Sequence, residues 1–142
     1  MNLRTIARRV LAPALVALVA VGIVAGSAIA DGMHMGTHEA SPKMSVKIYV
    51  SKDRKAGYNL HVTTKRFKWA PWNASKNHIS GQGHAHLYID GEKVTRLYGP
   101  WYYLGTLDKG THTIKVTLNA NDHSDYEHDE MMVADQKTIT VK

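Results

Sequence analysis

Apolar and polar residues alternate with a period of two along most of the chain, and no segment beyond residue 30 shows a helical period of 3.6. Every second residue is apolar in Met44–Val50 and, within Thr111–Ala120, from Ile114 onward, which predicts strands with one buried face. Similar stretches bounded by turn residues predict five more strands: Tyr58–Thr64, His84–Asp90, Lys93–Tyr98, Trp101–Leu104 and Gln136–Lys142. About seven short strands separated by turns are typical of an all-β antiparallel sandwich.

The first thirty residues have a different composition. Asn2–Val10 carries three arginines and no acidic residue, and Leu11–Ile23 is almost wholly apolar. Ala28-Ile29-Ala30 then supplies a small-x-small cleavage site. We therefore expect residues 1–30 to be a signal peptide. The mature protein would be periplasmic or secreted, with no stable membrane anchor after cleavage.

A short segment separates this leader from the predicted sandwich. Asp31–Lys43 contains Gly, Ser and Pro and has no hydrophobic periodicity, so we predict a flexible tail at 31–43 and the folded domain at 44–142. The tail includes Met33-His34-Met35. Thioether and imidazole groups together favour Cu(I) and tolerate Cu(II), so the tail could contribute metal ligands.

The composition excludes several classes of function. The chain has no cysteine, which excludes disulfides, thiolate zinc sites, iron–sulfur clusters and blue-copper sites. The net charge of +6 includes three arginines of the leader, and the remaining charge is too small to predict nucleic-acid binding. With no cysteine and no G-x-S-x-G motif, nothing indicates nucleophilic catalysis, and we expect a protein that is not an enzyme.

Two parts of the sequence resemble known bacterial domains. Leu107–Val116 is similar to an L-x-x-G-x-H-x-I-x-V corner found in bacterial immunoglobulin-like domains. The stretch from Gly83–Gly91 through Leu118–His123 resembles small exported domains of the same sandwich type, some of them associated with periplasmic copper handling. The resemblance covers about two-thirds of the mature chain. It implies an immunoglobulin-like fold and a role with copper.

The motif His84-Ala85-His86 is the best candidate for chemistry, in a chain with nine histidines. Residues two apart on a strand point to the same face, so both imidazoles can reach one metal ion. Ala85 and Leu87 would then face the core. The alternative is that the two histidines only line a solvated sheet face.

A third ligand has to come from elsewhere in the chain. His123 is the first candidate and His61 the second. Asp122 and Asp125 flank His123 and could orient its imidazole. Because imidazole binds metal only when it is neutral, such a site should lose its metal as the pH falls through about 6–6.5.

Two further groups of residues stay open as alternatives. Asp122–Glu130 mixes acidic, imidazole and thioether side chains, so it is either a metal-binding loop or a solvated one. Five aromatic residues could pack in the core or be exposed to stack on a sugar or another ring. They are Trp69, Trp72, Trp101, Tyr102 and Tyr103.

These observations predict an exported protein that binds a transition metal, copper first and zinc second, for sequestration or delivery. The metal ligands would be surface histidines, namely His84, His86, His123 and His61. Its partners would be the metal ion and, for delivery, another periplasmic metal-handling protein. The alternatives are a non-catalytic interaction or carbohydrate-binding module that uses the aromatic residues and, third, a zinc-dependent hydrolase.

Overall fold

The computed structural model describes residues 36–142, and this part of the chain is almost entirely β-structure. The strands are β1 (Thr37–Glu39), β2 (Ser45–Lys52), β3 (Tyr58–Lys65), β4 (Lys68–Trp69), β5 (Gln82–Ile89), β6 (Glu92–Leu97), β7 (Trp101–Gly105), β8 (Gly110–Ala120), β9 (Asp125–His128), β10 (Met131–Met132) and β11 (Ala134–Val141). One 3₁₀ turn, Pro71–Asn73, lies between β4 and β5. Within residues 36–142, no helix is long and apolar enough to cross a bilayer.

The strands form two sheets. In the larger sheet the hydrogen-bonded order is β1-β9-β8-β5-β4, with β10 on β9, β11 on β8 and β6 on β5. The smaller sheet has the order β2-β3-β7. All pairings are antiparallel except β1 with β9 and β4 with β5. The all-β class and the two sheets agree with the predicted β-sandwich, while the immunoglobulin-like topology stays a prediction.

The core lies where the two sheets face each other. Leu87 and Val116 from the larger sheet are fully buried, as are Ile48 and Leu60 from the smaller one. Each aliphatic side chain of this kind stabilises the fold by about 1.5–3 kcal/mol on burial. The apolar face that alternation predicts for each of these strands is therefore the face buried in the core.

Two segments predicted to lack regular structure contain strands. In the expected tail, Thr37–Glu39 pairs with β9, and the amide of Ala40 donates to the carbonyl oxygen of Glu127 at 2.8 Å. In the expected loop Asp122–Glu130, Asp125–His128 forms β9 and Tyr126 is fully buried. These strands are too short to show a period in the sequence, and they form because they pair with each other. The predicted signal peptide and Met33-His34-Met35 lie outside the described residues.

Strand β5 positions the candidate site. Ala85 and Leu87 point into the core, so His84 and His86 project from the opposite face of the larger sheet, as predicted. That face is not solvated at this point, because His84 is 0% and His86 3% exposed. The expectation of surface histidines was therefore wrong, since neighbouring side chains and the turn after β8 cover the two rings.

Candidate metal centre

The two histidines of β5 are aligned by the register of the larger sheet. His84 lies opposite Asn119 of β8, and His86 lies opposite Thr117. Because the side chains are two residues apart, they stand side by side, and their Nε2 atoms are 3.1 Å apart. Two ring nitrogens this close together can both be ligands of one metal ion.

The turn between β8 and β9 brings in the third histidine. His123 has a φ of 73°, in the left-handed region where histidine is enriched among non-glycine residues. Its amide donates to the carbonyl oxygen of Ala120 at 3.1 Å, which closes the turn. This conformation directs the ring back over the sheet, and Nδ1 of His123 lies 3.0 Å from Nε2 of His84.

The three ligand atoms lie close together. The donor nitrogens of His84, His86 and His123 all lie within 4.8 Å of one another. Two nitrogens bound to one ion at about 2.0–2.1 Å, with angles between square and tetrahedral values, are about 2.8–3.4 Å apart. The separations of 3.0 and 3.1 Å at His84 fit this spacing, so the cluster could hold a metal ion.

The environment keeps these imidazoles neutral at neutral pH. Burial lowers the pKa of His84 to about 4, helped by the positive charges of its neighbours. Burial lowers the pKa of His86 to about 3, with the Lys93 ammonium as the next cause. Burial also lowers the pKa of His123, and the positive charge of Arg96 is the next cause. Neutral imidazole is the form that coordinates metal, so protons do not compete for the cluster at pH 7.

Ser75 supports the third histidine from the loop before β5. Its Oγ lies 2.8 Å from Nε2 of His123, and its amide donates to the carbonyl oxygen of Asn121 at 2.7 Å. With Nε2–H donating to Ser75, the Nδ1 lone pair of His123 points at the cluster. Metal-binding histidines commonly have such a partner on the second ring nitrogen. Among the described residues, no hydrogen-bond partner is found for Nδ1 of His84 or His86.

The acidic residues predicted to orient His123 have other partners. Asp122 accepts from Nε2 of His38, with its Oδ2 at 2.8 Å, and Asp125 accepts from Nδ2 of Asn119 at 2.5 Å. Both carboxylates thus accept hydrogen bonds from other side chains, although the charge of Asp122 still acts on His123. The side chain that contacts the outer ring nitrogen of His123 is that of Ser75, which the sequence analysis did not connect with His123.

The structure does not bring His61 to the cluster. His61 lies on β3 in the smaller sheet, where its ring stacks on Trp101 with the centroids 4.0 Å apart. The opposite sheet cannot supply a ligand to the outer face of β5, because the hydrophobic core separates them. Within residues 36–142, no other group of three histidine or acidic side chains has its ligand atoms so close together, and this includes the acidic segment after Asn121.

Sequence reasoning missed two cations beside the cluster. The Lys93 Nζ lies 3.2 Å from Nε2 of His86, and Arg96 lies directly opposite His86 in the pairing of β5 with β6. Both residues belong to the hairpin that Asp90-Gly91 predicts. The strand register of this hairpin could have predicted from the sequence that Arg96 lies opposite His86. An irregularity in the pairing after Leu87 shifts that register, so the sequence alone does not give it.

The five aromatic residues divide between core and surface. Trp69 and Tyr102 pack against the core. The other three are exposed: Trp72 by 64%, Trp101 by 66% and Tyr103 by 54%. Core packing thus holds for two of the five residues, and the exposed alternative holds for three.

Fold and site together define an all-β protein of two sheets with a buried cluster of His84, His86 and His123 that could hold a metal ion. Comparison of the chain with protein-family models, with curated proteins and with solved structures finds no match. The function is therefore argued from the cluster itself.

Proposed function

We propose that this protein binds a transition metal ion through His84, His86 and His123 and that it sequesters or delivers this ion outside the cytoplasm, without catalysis. The observation that carries the proposal is the position of the His84 Nε2 atom, 3.1 Å from Nε2 of His86 and 3.0 Å from Nδ1 of His123. Three neutral nitrogen donors at this spacing are a ligand set that borderline metals prefer.

Copper is the first candidate for the metal and zinc the second. Among divalent first-row ions, copper binds nitrogen ligands most tightly. No carboxylate belongs to the three-residue group, which disfavours Mg²⁺ and Ca²⁺ because these ions prefer oxygen ligands. Export is supported by the leader-like sequence of residues 1–30. Delivery would require a second metal-handling protein as recipient.

The proposal is tested by titrating metal-free protein with Cu²⁺ and Zn²⁺ and by metal analysis of protein isolated from the cell envelope with and without copper stress. We expect one metal per chain, with copper bound more tightly. His123→Asn removes a ligand but keeps a residue that tolerates the left-handed backbone. It should weaken binding by more than about a hundredfold, beyond the effect of losing an outer hydrogen-bond partner.

The matched control for this experiment is His61→Asn, which removes an imidazole from the smaller sheet. Its metal affinity should equal that of the unmodified protein. Equal losses in both variants, or metal binding that survives His86→Gln together with His123→Asn, would contradict the proposed site.

A second candidate function follows from the outer face of the smaller sheet. Tyr49 is 57% exposed and pairs across the strands with His61, which in turn pairs with the exposed Trp101. We propose this row as the surface that a non-catalytic carbohydrate-binding or interaction module would use. A glycan array distinguishes the two functions, because Trp101→Ala would abolish glycan binding while metal binding would remain.

A further inference from the structure

Two positive side chains face the histidine cluster from β6. The Lys93 Nζ lies 3.2 Å from Nε2 of His86, within hydrogen-bonding distance of an atom that a metal ion needs. Arg96 lies opposite His86 in the sheet and lowers the pKa of all three cluster histidines by its charge. A metal ion that enters the cluster must therefore displace the Lys93 ammonium and remain close to it.

The charges at this place do not balance for a bare metal ion. Imidazole coordinates a metal ion in its neutral form and brings no negative charge, so a divalent ion would add its full charge beside Lys93 and Arg96. Two carboxylates supply nearby negative charge, because Asp125 attracts Lys93 and Asp122 acts on His123. They offset at most the two cations, so the charge of the metal ion itself is left without a counter-charge. Like charges this close repel strongly near a protein surface, where the effective dielectric constant is far below that of water.

A further ligand on the metal ion could compensate its charge. Three protein nitrogens leave at least one position of a copper or zinc ion for a further ligand. An anion there would neutralise part of the metal charge and would accept hydrogen bonds from the side chains of Lys93 and Arg96. Both side chains are exposed and long, so they can turn toward such a ligand.

We propose that a small anion binds together with the metal as its additional ligand, held by Lys93 and Arg96. The inference rests on the proposed metal function and specifies its chemistry: the cargo is a metal–anion pair. Lys93 then has two roles. It donates to His86 in the metal-free protein, and it donates to the anion once the metal has taken its place.

The experiment uses copper-loaded protein and azide as the probe, in a weakly coordinating buffer without chloride. Azide bound to Cu²⁺ is followed by its charge-transfer absorption. We expect saturable binding, weakened about tenfold by Lys93→Gln and again by Arg96→Gln, because each loses a charge-assisted hydrogen bond. The control variant is Lys47→Gln, which removes one exposed charge from the smaller sheet and should leave the affinity for azide unchanged.

A second measurement follows the affinity for copper, which Lys93→Gln should raise although it lowers the affinity for azide. Without azide, Lys93→Gln should bind copper more tightly than the unmodified protein, because the competing ammonium and its repulsion are gone. Copper that binds while azide affinity is the same in the unmodified protein and in the Lys93→Gln/Arg96→Gln variant overturns this inference alone. Copper that fails to bind at all overturns the proposed copper function, and this inference with it.

Discussion

The Oγ of Ser75 lies 2.8 Å from Nε2 of His123, although the two residues are 48 positions apart in the chain. Ser75 has a φ of 65° and His123 a φ of 73°, so both ends of this hydrogen bond are in the left-handed region. The amide of Ser75 also anchors the loop to the carbonyl oxygen of Asn121. The loop before β5 thus fixes the ring that completes the cluster.

Replacing Ser75 should therefore weaken metal binding without touching a ligand. Ser75→Ala removes the acceptor of the Nε2–H of His123, and we expect the metal affinity to fall by about 10–100-fold, the usual effect of losing such a partner. Isothermal titration of the metal-free variant measures this. The control is Ser80→Ala in the same exposed loop, which should leave the affinity unchanged. Equal affinities in both variants would show that Ser75 does not orient His123.

The metal-free protein should lose stability in mild acid. Burial lowers the pKa of His84 to about 4 and that of His86 to about 3, whereas unfolded histidine titrates near 6.5. Between these values the unfolded state binds more protons, so the free energy of unfolding is highest above about pH 6.5 and falls by several kcal/mol toward pH 3–4.

Urea denaturation between pH 7.5 and 4 measures this slope. His86→Gln removes one of the titrating groups and should flatten the dependence, while His61→Gln in the smaller sheet should keep it. A pH dependence that is the same in the His86→Gln variant as in the unmodified protein would mean that another group causes the acid sensitivity.

Metal affinity should persist to lower pH than the sequence predicts. An ordinary imidazole would release metal as the pH falls through about 6–6.5. Here the free His84 and His86 accept protons only near pH 4 and 3, so proton competition begins lower. We expect nearly constant affinity from pH 7.5 to about 5.5, which a pH series of metal titrations checks. A steep loss already at pH 6.5 would contradict the burial of the ligands.

Gly83, next to His84, should tolerate no side chain. A Cβ at this position would overlap the carbonyl oxygen of Asn119 on β8. Gly83→Ala must therefore separate β5 from β8, and we expect a loss of about 3 kcal/mol, at the upper end of overpacking costs. Thermal unfolding measures it. Gly99→Ala is the control, because a Cβ there meets no atom within 4 Å, and its melting temperature should stay close to that of the unmodified protein.

The sequence by itself determined where the long strands lie and on which face of its sheet each of their residues stands. Seven strands of five or more residues correspond to the seven predicted, because alternation is a local property that requires only one buried face. The same local rule placed His84 and His86 together on β5. Cysteine content, also visible in the sequence, limited the site to imidazole, thioether and oxygen ligands.

Only the tertiary structure decided what surrounds those two histidines. The choice of His123 over His61 depends on a left-handed turn and on which sheet each residue joins, and neither is encoded in the spacing of residues. Three other features depend on contacts between residues that are distant in sequence or shifted in register. They are the burial of the outer face, the contact of Lys93 with His86 and the hydrogen bond from His123 to Ser75. Strand patterns are set by neighbours along the chain, whereas a binding site is set by strand pairing and turn geometry, which appear only when the whole chain has folded.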